Sequence, residues 1–379
     1  MVKLSLNRNY ISKMLKTAKT RIIAHVDLDY FFAQCEEREN PSYKGKPVVV
    51  CVYSARGGDS GVVSTANYVA RRFGVKSGMP IFSAKRLLKE VEAVFLPVNH
   101  ELYNKISDEI MEILRDYSGK FEQRSIDEAS LDITERTGRN YGRAEKLALD
   151  MKREILMSEG LTCSVGVAPN KLLAKMTAGF NKPDGLKVVR PEEVKSFLFP
   201  LPVGELYGVG RKTERVMLEL GINTLEDLAK YRIEDLVKVF GEKMGMYFHN
   251  AANGVDESPV REREGFVQIS KITTLKKDSS DLNEIISDLY ELCKAVHERI
   301  VNDNIVFRSL GIMVVTENMS IHSRSITLDS YVSDLETLKR ACYELLERFL
   351  KESPLKIRRI GVRVTNFNVA SQKTLKDFQ

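Results

Sequence analysis

The sequence has few cysteines, and they are not grouped. Only five of its 379 residues are cysteines, their number is odd, and no two form a C-x-x-C pair. A disulfide framework or a zinc site is therefore not expected. The pattern predicts reduced, buried thiols in a cytoplasmic protein.

Long apolar runs are also absent. No stretch approaches the length of a membrane-spanning helix, so we expect no membrane association. The first twenty residues carry five basic side chains and no acidic one, and they lack the continuous apolar segment of a signal peptide. We interpret residues 1–20 as a basic N-terminal extension.

The sequence also lacks several patterns that would assign it to a particular class of protein. We find no internal repeat and no low-complexity segment, and the P-loop pattern G-x-x-x-x-G-K-[ST] does not occur, which excludes that type of phosphate site. The net charge of +6 and the pI of about 8.8 permit binding to an anionic polymer without requiring it.

The order of the periodic segments predicts an α+β protein with several domains. An alternating apolar segment over 21–28 predicts a first strand, and two strand-like runs around a polar centre at 121–134 predict a hairpin. The order of strand, insertion, helix, hairpin, helix and strand is typical of a split βαβ, ferredoxin-like sheet. Short helices are predicted from 191 to 254, a charged linker follows, and a small α+β domain begins at 267.

Acidic residues mark the first strand and the hairpin. Asp27 ends the strand, and Asp127 and Glu128 lie at the centre of the hairpin. If the hairpin lies beside the strand, the three carboxylates converge, as two-metal phosphoryl transfer requires. Asp29 would share the face of Asp27 if the strand continued, whereas a turn after Leu28 would separate them. No lysine or histidine base is evident near these acids.

Four motifs occur in one order: DLDYFFAQCEE, STANYVARRFGVKSGMP, SIDEASLDIT and NKPDG. Together they resemble the Y-family of translesion DNA polymerases, in particular the DNA polymerase IV branch and its archaeal members. The resemblance extends from about residue 21 to the C-terminus. It implies a template-directed DNA polymerase of low fidelity that lacks a proofreading exonuclease.

The resemblance implies roles for individual residues around two Mg²⁺ ions, with Mn²⁺ as an expected substitute. Asp27, Asp127 and Glu128 match the metal ligands, Glu128 also matches the catalytic residue, and the carbonyl of Leu28 matches a backbone ligand. Phe32 stands at the steric gate that excludes ribonucleotides. The residues implied in binding the nucleotide are Phe31, Phe32, Thr65, Tyr68, Arg71 and Lys182. Val62 replaces the smaller residue usual over the nascent base pair, which bears on lesion size.

The segment LYGVGRKTERVMLELGI predicts two helices joined by a tight G-V-G turn, similar to a helix-hairpin-helix. Amides at such a turn can meet a DNA backbone phosphate. Basic residues of the final domain, including Lys356, are candidates for further phosphate contacts. The predicted DNA-binding residues are Gly208, Gly210, Arg211, Lys212, Arg358, Arg359 and Arg363. Near the C-terminus the spacing of Gln372, Leu375 and Phe378 matches a sliding-clamp peptide, although Gln379 replaces its second aromatic residue.

The resemblance also predicts the domain boundaries. The palm is expected at 21–38 and 98–189, and the full series is basic extension 1–20, fingers 39–97, thumb 190–254, linker 255–266, little finger 267–370 and tail 371–379. The expected partners are primer–template DNA, deoxynucleoside triphosphates and a sliding clamp, and the expected state is a monomer. Two alternatives stay open at this point, a nucleotidyl cyclase with a similar palm and a non-catalytic DNA-binding protein.

Overall fold

The computed structural model describes residues 21–262, 265 and 267–369. The basic extension and the clamp peptide predicted at the two ends lie outside the described residues. The chain divides into two compact units. Among the described residues the first unit comprises 21–50, 65–74 and 91–262, and the second comprises 51–64, 75–90, 265 and 267–369.

A five-stranded sheet forms the centre of the first unit. Its strand order is β5–β6–β1–β7–β8, and β8 is parallel to β7. The first four positions have the order of a ferredoxin-like sheet, which confirms the predicted split βαβ arrangement. The strands are β1 (Ile23–Leu28), β5 (Phe121–Gln123), β6 (Glu128–Asp132), β7 (Cys163–Ala168) and β8 (Leu186–Val188).

Side chains of β1 alternate between the two faces of this sheet. Ala24, Val26 and Leu28 pack into a core with the buried stripes of α4 (His100–Arg115) and α5 (Tyr141–Glu159). The odd-numbered residues face the other side, where α6 (Lys171–Ala178) lies against β1 and β7. The alternation therefore separates the apolar face of β1 from the face that carries His25 and Asp27.

A three-stranded sheet of order β3–β2–β4 precedes α4. Asn67 lies beside it and is almost fully buried. Its side chain caps the helix that follows by accepting a hydrogen bond from the Ala70 amide at 2.9 Å, and it donates to Glu37 at 2.6 Å. The elements of this region are α1 (Phe31–Glu39), β2 (Val48–Tyr53), β3 (Gly61–Ala66), α2 (Tyr68–Arg72), α3 (Ile81–Leu87) and β4 (Val94–Pro97).

Short helices follow the palm sheet, as predicted for residues 191–254. Their buried residues form a separate core, which includes Met217, Leu225 and Phe248. The helices are α7 (Val194–Leu198), α8 (Arg211–Glu219), α9 (Leu225–Lys230), α10 (Ile233–Phe240) and α11 (Glu242–Ala252), with a 3₁₀ turn at Val203–Glu205.

The second unit contains a four-stranded antiparallel sheet of order β11–β10–β12–β9. Its strands and two helices match the α+β domain predicted from residue 267. The helices bury apolar residues against one face of the sheet and form one core. The elements are β9 (Gln268–Ser279), α12 (Leu282–Asn302), β10 (Ile305–Thr316), β11 (Ile321–Val332), α13 (Leu335–Glu352) and β12 (Ile357–Val369).

No helix in the described part of the chain is both long enough and apolar enough to cross a lipid bilayer.

Gly166 on β7 allows α6 to approach the sheet closely. A Cβ at this position would lie 2.2 Å from the Ala174 carbonyl oxygen and 2.3 Å from the Ala178 amide nitrogen. Because both atoms belong to the backbone of α6, we expect Gly166→Ala to lower the free energy of unfolding by about 1–3 kcal/mol. Denaturant unfolding measures this change.

Gly119→Ala is the matched control for that variant. No described atom lies within 4 Å of a Cβ built at Gly119, so its stability should stay within about 0.5 kcal/mol of the wild type. Equal unfolding midpoints for the two variants would contradict the close approach of α6 to β7.

Candidate active site

Antiparallel pairing places the acidic residues of β1 and β6 side by side. Asp27 lies directly opposite Glu128, and His25 lies opposite Ser130. The amide of Leu28 donates to the Asp127 carbonyl oxygen at 2.9 Å. The predicted position of the hairpin beside the first strand is therefore confirmed.

Three side chains on this face come close enough to share an ion. His25, Asp27 and Glu128 each offer one ligand atom, and these atoms all lie within 4.8 Å of one another. Asp127 is not in this group. Its Oδ1 accepts a hydrogen bond from the Ser125 hydroxyl at 2.5 Å, and the position of its carboxylate as a third ligand stays a prediction.

The electrostatics of Asp27 suit a cation. The pKa of this carboxyl is raised from 3.8 to about 6, mainly because of burial; the Lys182 ammonium opposes the rise, and the carboxylates of Glu128 and Asp127 contribute to it. Crowded, desolvated carboxylates are stabilised by a positive ion. Hard carboxylate oxygens are also the ligands that Mg²⁺ prefers. The residues present therefore fit a divalent metal ion.

Two lysines contact these acids. Lys175 of α6 donates to Glu128 Oε2 at 2.5 Å, and Lys182 forms an ion pair with Asp27. No lysine or histidine was expected as a base near the acids, yet Lys175 lies within hydrogen-bond distance of Glu128. No local pattern predicts Lys175 there, because its position depends on how closely α6 packs on β7.

His25 is a further side chain that sequence reasoning missed. It is fully buried, its Nδ1 lies 3.1 Å from the Ser130 hydroxyl, and its Nε2 lies 3.9 Å from Glu128 Oε2. Burial holds the pKa of the imidazole well below its ordinary value, so the ring is neutral at pH 7. A signal existed in the sequence, since residues 25 and 27 share one face of a strand.

Asp29 has a structural role that differs from that of Asp27. The chain turns at Tyr30, whose φ is 36°, and α1 begins at the next residue, so the two aspartates are separated. Asp29 is fully buried. It accepts hydrogen bonds from the hydroxyls of Thr162 (2.9 Å) and Ser164 (2.8 Å) and from the Asp184 amide (2.8 Å). This carboxylate thus anchors the NKPDG loop, which carries Lys182.

The two adjacent phenylalanines occupy different environments. Phe31 is 2% exposed and belongs to the hydrophobic core. Phe32 is partly exposed and stacks on Tyr103 with ring centroids 4.3 Å apart and an interplanar angle of 14°. Phe32 is therefore held rigidly at the surface, while Phe31 supports it from the core.

Two of the residues predicted to bind the triphosphate, Tyr68 and Arg71, lie in α2. The Arg71 guanidinium lies 4.8 Å from the centroid of the Tyr68 ring, and Arg71 Nε donates to the Ala66 carbonyl at 2.8 Å. Arg71 is exposed, and Thr65 is partly exposed on β3. The predicted common face of Tyr68 and Arg71 is therefore present.

The G-V-G turn precedes α8, as predicted. Gly208 has φ 93°, and Gly210 is the N-cap of a helix that begins with exposed Arg211 and Lys212. The helix predicted before the turn is instead a 3₁₀ turn that ends at Glu205. The helix is short because the ring of Pro202 fixes the φ of that residue at its start, and the backbone becomes extended again at Leu206.

Tyr207 links this turn to the palm. Its ring lies 5.2 Å from Lys175 Nζ and 5.5 Å from Arg124 Cζ. Tyr247 donates to the Tyr207 carbonyl oxygen at 2.6 Å. The residue before Gly208 therefore contacts the same lysine that binds Glu128.

The basic residues of β12 do not form one row. Ile360, Val362 and Val364 face the core, so Arg359 and Arg363 lie on the opposite face of the strand. Arg358 lies at a register shift and pairs with Asp278 at 3.3 Å.

The fold and the acidic edge together define a palm that transfers nucleotidyl groups with a divalent metal. Three family models match the chain: the impB/mucB/samB family over residues 26–179, the DNA polymerase-iota thumb domain over 204–256, and the impB/mucB/samB C-terminal domain over 267–376.

Curated relatives match almost the whole chain. DNA polymerase IV of Nitrosopumilus maritimus is 44% identical over 351 residues, which is 92% of this chain and 96% of the relative. DNA polymerase IV of Methanosarcina acetivorans is 47% identical over 350 residues, with coverage of 91% and 95%.

Solved structures agree with the sequence matches. The Y-family polymerase chimera Dbh-Dpo4(243-245)-Dbh has a TM-score of 0.86 at 36% identity, and the insertion ternary complex of Dbh DNA polymerase has a TM-score of 0.66 at 36% identity. Each comparison covers 92% of this chain and 99% of the other.

The chain belongs to the Y-family (impB/mucB/samB) of DNA polymerases, in its DNA polymerase IV branch. It is a DNA-directed DNA polymerase with a palm, a helix-hairpin-helix thumb and a C-terminal little finger. The prediction of a translesion polymerase is confirmed, and the cyclase and non-catalytic alternatives are set aside.

The raised pKa of Asp27 predicts how the stability of the metal-free protein depends on pH. The folded state binds the proton with a pKa of about 6, more tightly than the unfolded chain, so Asp27 opposes folding above pH 6 and stops doing so as the pH falls. We expect the free energy of unfolding, relative to Asp27→Asn, to rise by about 1 kcal/mol from pH 7 to pH 5.

Denaturant unfolding in the presence of a chelator measures this difference. Asp27→Asn serves as the reference because it keeps every other titrating group. If the free energies of unfolding of the wild type and of Asp27→Asn changed equally with pH, the raised pKa of Asp27 would be contradicted.

Proposed function

We propose that this polymerase adds deoxynucleotides by two-metal-ion transfer at the edge formed by β1 and β6. The observation that carries the proposal is the close approach of the ligand atoms of His25, Asp27 and Glu128, which all lie within 4.8 Å of one another. Asp27, Asp127, Glu128 and the carbonyl of Leu28 would hold two Mg²⁺ ions, with Mn²⁺ as a substitute. When bound, these ions would activate the primer 3′-hydroxyl and neutralise charge on the leaving phosphates.

The chain's own residues would orient the two substrates. The primer 3′-hydroxyl attacks the α-phosphate of the incoming nucleotide, and pyrophosphate leaves. Thr65, Tyr68 and Arg71 would donate to the triphosphate, since arginine matches phosphate oxygens in a bidentate manner. Lys182 would exchange the Asp27 carboxylate for a phosphate oxygen. Its ion pair with Asp27 supports this proposal, because the same ammonium group could bind a phosphate oxygen instead.

Contacts with DNA would be independent of sequence. The Gly208–Gly210 turn, Arg211 and Lys212 are proposed to hold a backbone phosphate. Arg358, Arg359 and Arg363 are proposed to contribute from the little finger. Because the family modules occupy most of the chain, no segment is assigned to proofreading.

The proposal extends to cellular context. The polymerase is expected to act as a monomer in the cytoplasm, where its five buried cysteines, none of which is in a disulfide, would stay reduced. Gln372, Leu375 and Phe378 are proposed to bind a sliding clamp. Val62, which is 44% exposed, is proposed to influence which lesions are bypassed.

Primer extension with single deoxynucleotides in Mg²⁺ tests the catalytic proposal. Asp127→Ala is expected to reduce the rate by on the order of a hundredfold to a thousandfold, because one carboxylate that stabilises the reacting centre is lost. Glu135→Gln is the control, since it removes a carboxylate that is 87% exposed and follows the opposite end of β6. A rate for Asp127→Ala equal to that of the control would exclude Asp127 as a ligand.

The efficiency of ribonucleotide addition tests the proposed role of Phe32 as a steric gate. Phe32→Ala is expected to raise the efficiency of ribonucleotide addition, relative to deoxynucleotide addition, by about tenfold or more, which corresponds to about 1.4 kcal/mol of discrimination. Phe32→Tyr keeps the stacked ring and should preserve selectivity. Steady-state kinetics with matched nucleotides gives both ratios, and an unchanged ratio in Phe32→Ala would place the gate elsewhere.

A further inference from the structure

An open pocket of about 440 Å³ lies beside the turn that carries Asp127. It is lined by Arg115, Gln123, Arg124, Ser125 and Glu262. Four of these side chains are hydrogen-bond donors, and the two arginines are permanently charged. None of the five is among the residues proposed to bind the triphosphate or to form the thumb turn.

The pocket is fixed to the catalytic edge by short contacts. The amides of Arg124 and Ser125 donate to the Glu128 carbonyl oxygen at 2.8 and 3.3 Å. The Ser125 hydroxyl donates to Asp127 Oδ1. The donors of the pocket therefore belong to the same tight turn as the acids, and a group bound there lies close to the reacting centre.

Arg124 is free to bind an anion. Its Nη2 lies 3.4 Å from the Tyr207 hydroxyl, and its guanidinium lies over the Tyr207 ring. No carboxylate within the described ranges forms an ion pair with it. Because Tyr207 precedes Gly208, the guanidinium lies between the acidic turn and the turn proposed to hold a backbone phosphate.

Arg115 already holds an anionic group. Its guanidinium forms an ion pair with Glu262 and lies 4.6 Å from the centroid of the Phe121 ring. Both members of the ion pair are about half exposed, so the carboxylate is not locked in place. Arginine binds carboxylate and phosphate with the same fork of donors.

We propose that this pocket binds a backbone phosphate of the primer strand near its 3′ end, and that Glu262 competes for the pocket in the DNA-free protein. The inference rests on the proposed polymerase mechanism. The primer is the strand whose 3′-hydroxyl must reach Asp27 and Glu128, so the phosphates nearest the acidic turn belong to it. Recognition of a single phosphate is independent of sequence.

Binding of a labelled primer–template duplex, followed by fluorescence anisotropy across a salt series, tests the proposal. Arg124→Gln and Arg115→Gln are each expected to weaken binding by about tenfold at low salt and to reduce the salt slope by about one. Arg153→Gln removes an equal charge from a 70% exposed arginine and should bind like the wild type. Glu262→Gln should bind several-fold more tightly.

Neutral methylphosphonate linkages identify the strand. One such linkage is placed in turn at each of the three positions nearest the primer 3′ end, and in a second set at the facing template positions. The wild type should lose affinity at one primer position, and Arg124→Gln should lose nothing further there. Template substitutions should weaken both proteins equally.

Three results would overturn the proposal. The arginine variants could bind DNA as tightly as Arg153→Gln does; no methylphosphonate in the primer could have an effect that depends on Arg124; or a methylphosphonate in the template could have such an effect.

Thermal unfolding of each variant identifies misfolding. Arg124→Lys should partly restore DNA binding if the positive charge of Arg124 is what the phosphate recognises. Wild-type extension of the same primer is measured in parallel. If the wild type extends the primer while the arginine variants bind DNA normally, only the proposed role of the pocket is rejected. If the wild type neither binds nor extends the primer, the proposed catalytic mechanism is rejected as well.

Discussion

The pairing of Asp27 with Glu128 across β1 and β6 is the constraint on which the palm depends. Two carboxylates directly opposite each other in an antiparallel pair repel, and partial burial of Asp27 adds a desolvation penalty. The arrangement persists because each carboxylate has an ammonium partner, Lys182 for Asp27 and Lys175 for Glu128. In the metal-free protein the lysines thus supply the positive charge that these acids need.

Two different structural features position these two lysines beside the acids. Gly166 lets α6 approach β7 closely enough for Lys175 to reach Glu128. The loop that carries Lys182 is anchored by the buried carboxylate of Asp29 through the Asp184 amide. A glycine and a buried aspartate therefore help to determine the charge balance at the acidic edge.

Identical residue types have distinct roles within a few positions of one another. Asp27 faces the acidic edge, whereas Asp29 is an internal anchor. Lys175 contacts Glu128, while Lys171, one turn earlier on the same helix, forms a structural ion pair with Glu122 at 2.7 Å. Residue type alone does not distinguish Asp27 from Asp29, or Lys175 from Lys171. Their roles differ because of their burial and because of the face of the strand or helix on which each residue lies.

The chain of contacts from Glu128 through Lys175 to Tyr207 joins the acidic edge to the thumb turn. Residues on this route lie within the first compact unit. A change at the thumb turn can therefore alter the surroundings of Glu128 without any movement of the sheet, because Lys175 is shared between the two contacts.

Much of the fold could be predicted from the order of its segments. Alternation over residues 21–28 and the polar centre of the hairpin are local patterns, and together with the order of the segments they indicated a ferredoxin-like sheet. The convergence of Asp27 and Glu128 could also be predicted, because strand pairing brings the end of one strand to the turn of its neighbour, whereas Asp127 as a third ligand stays a prediction. The helix before Gly208 was predicted wrongly, since a local pattern does not reveal where Pro202 and Leu206 interrupt it.

What only the tertiary structure decided is which basic residues lie on or beside the acidic edge. Lys175, His25 and Arg124 are ordinary residues in the sequence, and their positions follow from the packing of α6 on β7, from the buried face of β1 and from the approach of the thumb turn. Contacts between residues far apart in the chain depend on the distance between packed elements. Sequence periodicity specifies the face on which a residue lies, but not the partner that faces it.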